Sequence, residues 1–303
     1  MRRIAGLFIP LFALWITSGL AAQEMSGGKP SWTEVLQDNS FLINEAYNQD
    51  PDVVQHVLTG WHFPNDSLWV CTFDDQWPLG SARHQMDVLV PYGAQGAPDP
   101  HGFGDIQLGY QYQAKLQGEG SAFSFAPGVK LSLPTGSWTK GLGLGCPGIV
   151  LGLPVSRRPS QHIEVHFNLG GSWFPSAKTL GSHGETLKGS LATLSVGASL
   201  VVHVTPVLNL SLEAIGGQAQ SLGEGGRKMW GSTALLSPGV AYGINFKGGA
   251  QLVLGLAVPF GLNRQSTNQS LFLYVSLEHR FRKPQHAGAP PASTDYLDMG
   301  PGR

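Results

Sequence analysis

Apolar and polar residues alternate along much of this chain, most regularly between Leu191 and Ala214. The even positions from Ala192 to Val202 are all apolar, whereas the positions between them are mostly small or polar. After a turn at Pro206, the apolar residues again occupy every second position. Because successive side chains of a strand point to opposite faces, this pattern predicts two neighbouring strands with one apolar and one polar face. The strands are as long as a tilted membrane-spanning strand, which needs roughly 9–11 residues.

The same alternation recurs before and after this pair. We therefore predict an all-β fold, a transmembrane antiparallel β-barrel of about twelve strands, with apolar residues outside and polar residues inside. In the first strand we assign Val57, Trp61 and Phe63 to the outer face and His56 and His62 to the interior. The predicted strands are Val53–Phe63, Leu68–Trp77, His84–Tyr92, Asp105–Leu116, Ala122–Leu133, Gly148–Val155, Gln161–Phe174, Leu191–His203, Leu208–Ala214, Ala234–Phe246, Leu252–Phe260 and Leu271–Phe281.

The two ends of the chain differ from the barrel in composition. Residues 1–22 combine Arg2 and Arg3 with an apolar stretch and small residues near Ala21, which predicts a secretory signal peptide. Residues 23–52 form an N-terminal segment without a sustained period, and we expect it in the periplasm or inside the lumen, where its part from Phe41 to Pro51 would partly plug the pore. The barrel then occupies residues 53–282, and the Pro-rich tail 283–303 is predicted to be disordered.

Composition favours a barrel over a soluble α/β protein. Charged residues make up only 13% of the chain and glycine numbers 41. Without Arg2 and Arg3 there are 17 basic and 20 acidic residues, a net charge of −3, which does not suggest a nucleic-acid partner. The only cysteines are Cys71 and Cys146, and the sequence leaves open whether they pair.

Several strings, in order, resemble a family of outer-membrane transporter-like proteins named for the MetA pathway of phenol degradation. They are SFLINEAYNQ (40–49), DVVQH (52–56), RHQMDVLVPY (83–92), GFGDIQLGYQYQ (102–113), LSLPTG (131–136), GLGLG (141–145) and LGLPVS (151–156). The resemblance extends from about residue 40 to 281 and implies a Gram-negative outer-membrane barrel with a transport role. It does not imply that phenol is the solute.

Polar residues on the predicted inner face are candidates for lining the lumen. Such residues bind and pass polar solutes, or pair with one another and brace a closed barrel. The candidates are Gln107, Gln111, Gln113, Lys130, His162, Glu164, His166, Asn168, Asn209, Glu213, Glu278 and Arg280.

One group among them raises the question of a metal site. His162, Glu164, His166 and Asn168 alternate along one strand, and imidazole and carboxylate groups bind zinc or copper. Same-face neighbours on a strand lie roughly 6.5–7 Å apart, so a metal would need a ligand from elsewhere. We favour a polar lumen lining, and we predict no metal and no cofactor.

An enzyme is a further alternative, because some barrels of this size are outer-membrane lipases. A barrel lipase needs a serine activated by a histidine two residues before it at the lipid-facing rim. None of the strand histidines has a serine two positions later, and no Gly-x-Ser-x-Gly motif occurs. We predict no catalytic residues.

The sequence thus predicts an outer-membrane channel for passive or facilitated passage of small molecules, hydrophobic or aromatic ones among them. Its expected partners are outer-membrane lipid, an unidentified small solute and, during biogenesis, the barrel assembly machinery. A non-conducting structural or ligand-binding barrel with a closed polar lumen remains the alternative, and a soluble secreted β-sandwich is a third. Detergent-dependent extraction separates the last from the barrels.

Overall fold

The computed structural model describes residues 36, 40–95, 101–118, 120–247, 249–266 and 269–281. The predicted signal peptide (1–22) and the predicted tail (283–303) lie outside the described residues. The described chain contains fifteen strands and three short 3-10 turns, Pro64–Asp66, Trp138–Lys140 and Glu224–Gly226. The strands are β1 (Val53–Phe63), β2 (Leu68–Pro78), β3 (His84–Gln95), β4 (His101–Phe103), β5 (Gln107–Tyr112), β6 (Ser124–Phe125), β7 (Gly128–Ser132), β8 (Gly148–Ser160), β9 (Ile163–Leu180), β10 (Thr186–Thr205), β11 (Leu208–Leu222), β12 (Lys228–Asn245), β13 (Gln251–Ala257), β14 (Phe260–Gly261) and β15 (Leu271–Arg280).

Twelve of these strands form a closed antiparallel barrel, which confirms the predicted fold class. The short strands β4, β6 and β14 pair with β3, β8 and β12, and each of the other twelve strands pairs with the next of the twelve along the chain. The barrel closes where β1 pairs with β15, from Val53 opposite Arg280 to His62 opposite Leu271. Closure leaves no sheet edge unpaired. A strand structure in lipid needs this closure, because the bilayer core contains no water to hydrogen-bond free backbone groups. No helix among the described residues is long and apolar enough to cross a membrane.

The outer face of the barrel is apolar over most of its strands. On β10, Leu194 and Val196 are about half exposed, whereas the alternating Ser199 and Val201 are buried towards the interior. The same division holds on the neighbouring strands, where large apolar side chains point out. Further outward residues are Leu108, Tyr110, Val129, Leu131, Ile149, Leu151, Leu153, Phe167, Leu169, Leu200, Leu210, Leu212, Leu254, Leu256 and Leu273.

The predicted face assignment of the first strand is wrong. Val57 and Phe63 are only 8% and 2% exposed, and Val57 and Trp61 line an interior cavity. His56 and His62 lie on the outer face, where His56 pairs with Asp75 of β2 and His62 stacks on a tryptophan. The alternation is misleading here because the inner wall is itself apolar near β1 and β15, so hydrophobicity does not identify the lipid side.

The two cysteines are free thiols. Cys71 lies in β2 opposite Gly60, and Cys146 packs with Leu144 and Ala177 in the loop before β8 and against β9. Each therefore serves as a small apolar side chain in this structure.

The outer face provides a direct test of the fold. We predict that Val196→Arg destabilises the barrel in lipid by about 2–4 kcal/mol, because an arginine near the middle of the bilayer faces hydrocarbon. The measurement is urea-dependent unfolding in phospholipid vesicles, followed by the heat-modifiable gel shift. Leu262→Arg is the matched control, since Leu262 is 60% exposed in a connecting loop. Equal stability of both variants and the unmodified chain would contradict the assignment of lipid-facing residues.

Candidate functional site

Residues 40–49, which we call the internal strap, lie inside the barrel. The strap has neither helix nor strand structure and crosses the interior from the β10–β11 side to the β1–β3 side. Its hydrogen bonds reach wall residues on or beside seven strands. These wall residues are Gln55, Gln85, Gln113, Ser156, Asn168, Ser199 and Glu213.

Glu213 of β11 holds the start of the strap. Its carboxylate accepts the backbone N–H of Phe41 at 3.0 Å and that of Leu42 at 3.1 and 3.2 Å. Glu213 is completely buried. Next to it, the hydroxyl of Ser40 donates to that of Ser199 at 2.8 Å. A buried carboxylate is costly unless hydrogen bonds satisfy it, so Glu213 and the strap backbone supply each other's missing partners.

Amide side chains of the wall hold the rest of the strap. Asn168 makes a reciprocal pair with Asn44, accepting its N–H at 2.8 Å and donating to its carbonyl at 2.7 Å. Gln113 does the same one step further along, donating to the carbonyl of Ala46 at 2.9 Å and accepting the N–H of Asn48 at 3.0 Å. The backbone N–H and C=O groups of an irregular segment have no partners within the segment itself. The side chains of Asn168 and Gln113 take the place of the neighbouring strand that would otherwise bond them.

Glycines of the inner wall make room for the strap's apolar side chains. A Cβ atom placed on Gly255 or Gly239 would lie 2.4 or 2.7 Å from ring atoms of Phe41. The ring packs instead against Tyr274, at a centroid distance of 5.1 Å. A Cβ on Gly197 would likewise lie 2.2 Å from Ile43. These wall positions therefore exclude any side chain while the strap is in place.

Two cavities border the strap within the described part of the chain. The larger, of about 1060 Å³, lies between the strap and the wall formed by β1, β2, β3 and β15. The smaller, of about 240 Å³, lies on the side of β8, β9 and β10. The larger cavity has an apolar part lined by Val57, Trp61, Val70, Phe272 and Tyr274, and a polar part lined by Gln55, Thr59, Thr72, Asp74, Gln76, Gln85, Asp87 and Lys130.

One ion pair stands on the polar side of the larger cavity. Lys130 of β7 donates to Asp87 of β3 at 2.5 Å and lies 3.8 Å from Asp74 of β2. The intervening strand β5 carries Gly109, where a Cβ would lie 2.0 Å from the Asp87 carboxylate. Because Gly109 has no side chain, Lys130 and Asp87 can contact each other over β5. The polar side of the cavity therefore carries a fixed pair of opposite charges.

A buried polar cluster lies beneath the middle of the strap. His166 Nδ1 and Ser156 Oγ are 2.7 Å apart, and Ser156 Oγ also accepts the N–H of Ala46 at 2.8 Å. Tyr47 packs edge-on against the His166 ring at 6.3 Å. Burial, together with the carboxylates of Glu164 and Glu45, raises the pKa of Tyr47, so its phenol stays neutral and donates a hydrogen bond to Glu164. Ser156 and His166 are both fully buried, so this Ser–His pair has no open face for a substrate.

The predicted lumen residues separate into groups in the structure. Gln111, Gln113, Asn168 and Glu213 bond the strap, and Lys130 pairs with Asp87. Glu164, His166 and Asn209 belong to buried polar contacts, Asn209 through a 2.8 Å bond to His203. Glu278 lines the larger cavity, and Gln107 lies at the start of β5. His162 lies in the exposed turn before β9, and Arg280 is the exposed last residue of β15, so these two stand at the rim.

Sequence reasoning missed Glu45, Ser156, Gln85 and the glycines that face the strap. Glu45 lies in an aperiodic segment, where no alternation assigns a face. Gln85 is buried and accepts the N–H of Gln49 at 2.7 Å. Alternation could have identified it, because Gln85 and Asp87 are two residues apart on β3 and therefore share the inner face, whereas Met86 between them points outward.

The fold and its interior define a membrane β-barrel whose lumen contains its own N-terminal segment. No family model and no curated protein matches the chain. Among solved structures, it is similar to the COG4313 outer membrane channel from Pseudomonas putida F1, at 15% identity and a TM-score of 0.56, covering 80% of this chain and 100% of that one. It also matches the NanC porin (8% identity, TM-score 0.46, 74% and 99% coverage) and the toluene transporter TbuX of Ralstonia pickettii (9%, 0.37, 77% and 90%). The first likeness shows the barrel fold alone, and the other two scores are too low to carry an argument.

The strap contacts predict the effect of removing Glu213. We expect Glu213→Ala to accelerate hydrogen exchange at the amides of Phe41 and Leu42 by at least about fivefold, because each loses a buried acceptor worth about 1 kcal/mol or more. The measurement is hydrogen–deuterium exchange in detergent, read by mass spectrometry of strap peptides. Gln107→Ala is the control, since Gln107 faces inward and makes no hydrogen bond to the strap within the described chain. Unchanged exchange in a folded Glu213→Ala barrel would contradict this attachment.

Proposed function

We propose that this protein is an outer-membrane channel in which the internal strap obstructs the lumen. The larger cavity carries the proposal, because about 1060 Å³ of interior space runs beside the strap within a closed barrel. That space is enough for a small solute, since ligand pockets of about 300–1,000 Å³ enclose drug-sized molecules. The apolar outer face supports a place in lipid, and the resemblance of the strap and strand strings to the MetA-named family supports a transport role.

The lining of the cavity suggests which solutes it admits. Trp61, Phe272 and Tyr274 form an aromatic wall, and the Lys130–Asp87 pair faces the same space. Aromatic walls bind planar apolar groups, while fixed charges and amides bind a polar end. We therefore propose passage of small molecules that combine an aromatic or apolar part with a polar group.

The remaining assignments belong to the same proposal. Residues 1–22 would direct export as a cleaved signal peptide, and the barrel assembly machinery would insert residues 53–282 into the outer membrane of a Gram-negative cell.

A binding barrel that does not conduct is the second candidate, and one observation favours it. The strap is hydrogen-bonded to the wall along most of its length, and these bonds favour the docked position. In that case the larger cavity would hold a ligand without releasing it to the other side. Conductance distinguishes the two.

The test is single-channel recording of the refolded protein in a planar bilayer, with and without residues 41–49. We predict small or infrequent openings for the full chain and steady, severalfold larger openings after deletion, because the strap occupies the lumen cross-section. Unchanged conductance after deletion would contradict the obstruction, and silence of both folded proteins would favour the binding barrel.

Two point variants sharpen the test without shortening the chain. Gly255→Val would displace Phe41, whereas Gly152→Val adds the same side chain at an inward glycine where a Cβ meets nothing within 4 Å. We expect larger openings only from Gly255→Val, since Gly152→Val can only narrow the lumen. Equal effects of the two substitutions would show that docking of Phe41 does not limit passage.

A further inference from the structure

The strap and the wall bring three metal-ligating side chains together. Glu45 comes from the strap, and Glu164 and His166 come from the inner face of β9. One ligand atom from each lies within 4.8 Å of the other two. Glu164 and His166 are buried at 2% and 0% exposure, and Glu45 is partly buried.

One nitrogen of this group has no hydrogen-bond partner among the described residues. His166 Nε2 is fully enclosed and makes no hydrogen bond within the described part of the chain. Glu45 Oε1 is the acidic atom that stands 3.8 Å away, beyond hydrogen-bond range. Buried ring nitrogens are normally satisfied, so a buried nitrogen that makes no hydrogen bond and stands 3.8 Å from a carboxylate oxygen is consistent with an ion bound between the two groups.

The other nitrogen of the same ring is already held. His166 Nδ1 lies 2.7 Å from Ser156 Oγ, and a proton on Nδ1 donated to this hydroxyl leaves a lone pair on Nε2. Metal-bound histidines commonly use their second nitrogen in this way, which fixes the orientation of the ring. Ser156 also accepts a strap N–H, so the same hydroxyl connects the ring to the strap.

The spacing suits a small divalent ion. Zinc binds histidine nitrogen and carboxylate oxygen at about 2.0–2.2 Å, which places two ligand atoms of a tetrahedral site roughly 3.4 Å apart. The His166–Glu45 separation is 3.8 Å, and His203 Nε2 lies 3.5 Å from Glu164 Oε2. Small side-chain adjustments therefore close a shell of two carboxylates and one or two imidazoles.

We propose that Glu45, Glu164 and His166 bind one divalent transition-metal ion of the zinc type, with His203 as the nearest further imidazole. The ion would fasten the strap to β9, because one ligand belongs to the strap and two belong to the wall. It can enter through the larger cavity, which Glu45 and Glu164 both line.

The donor set selects the kind of ion. Imidazole with carboxylate suits zinc, copper, nickel or iron, whereas magnesium and calcium prefer shells built only of oxygen. The sequence offers His162 and Asn168 as two further candidate ligands, because they alternate with Glu164 and His166. His162 instead lies in an exposed turn, and Asn168 is engaged with Asn44, so the missing ligand comes from the strap.

The experiment is calorimetric titration of zinc chloride into the full, untagged chain, refolded in detergent and stripped with a chelator. We expect one equivalent of zinc to bind, at least tenfold weaker binding by Glu45→Gln and by Glu164→Gln, and no uptake of magnesium. His162→Gln is the matched control, because it removes an exposed histidine outside the cluster. The heat-modifiable gel shift confirms that each variant is folded.

Hydrogen exchange provides a second readout. Zinc should slow exchange of the strap amides in the unmodified chain and in His162→Gln, and should leave Glu45→Gln unchanged. Absence of zinc binding, or binding that Glu45→Gln and Glu164→Gln do not weaken, would overturn the proposal and identify the cluster as a purely hydrogen-bonded one. These measurements use no conductance, so they stand whether or not the barrel proves to be a channel.

Discussion

The architecture depends on satisfying the main chain of a segment that runs through a barrel interior. An irregular segment carries N–H and C=O groups that its own structure leaves unpaired, and burying them without partners costs about 1–3 kcal/mol each. Glu213, Asn168 and Gln113 provide those partners from three different regions of the wall. Part of the polarity of the inner face supplies donors and acceptors to the strap, so that polarity reflects an internal chain as well as water.

Shape follows the same constraint. Glycines at 197, 239 and 255 leave recesses that Ile43 and Phe41 fill, and an aromatic wall continues the packing around Phe41. The strap is therefore held by directional bonds on one side and by close packing on the other. The larger cavity lies along its remaining side and inherits both an apolar and a polar lining.

The barrel itself could be predicted from the sequence, because the alternation of apolar and polar residues shows where each strand lies, how long it is and which of its faces points to lipid. Strands such as β10 combine an apolar lipid face with a small or polar inner face, so their orientation is unambiguous. The prediction failed at β1, where Val57 and Trp61 pack inside against Phe272 and both faces carry apolar residues. The strap contacts could not be predicted from the sequence, because Phe41 and Glu213 are 172 positions apart and only the closed barrel brings them together.

The most direct test of the account is a cross-link between strap and wall. The hydroxyls of Ser40 and Ser199 are 2.8 Å apart, so cysteines at both positions stand within reach of a disulfide. In a chain with Cys71 and Cys146 replaced by alanine, the account predicts that Ser40→Cys with Ser199→Cys forms this disulfide on mild oxidation of the folded barrel and resists a maleimide-polymer gel shift until reduced. Labelling of both thiols in the oxidised, folded protein would contradict a strap docked in the lumen.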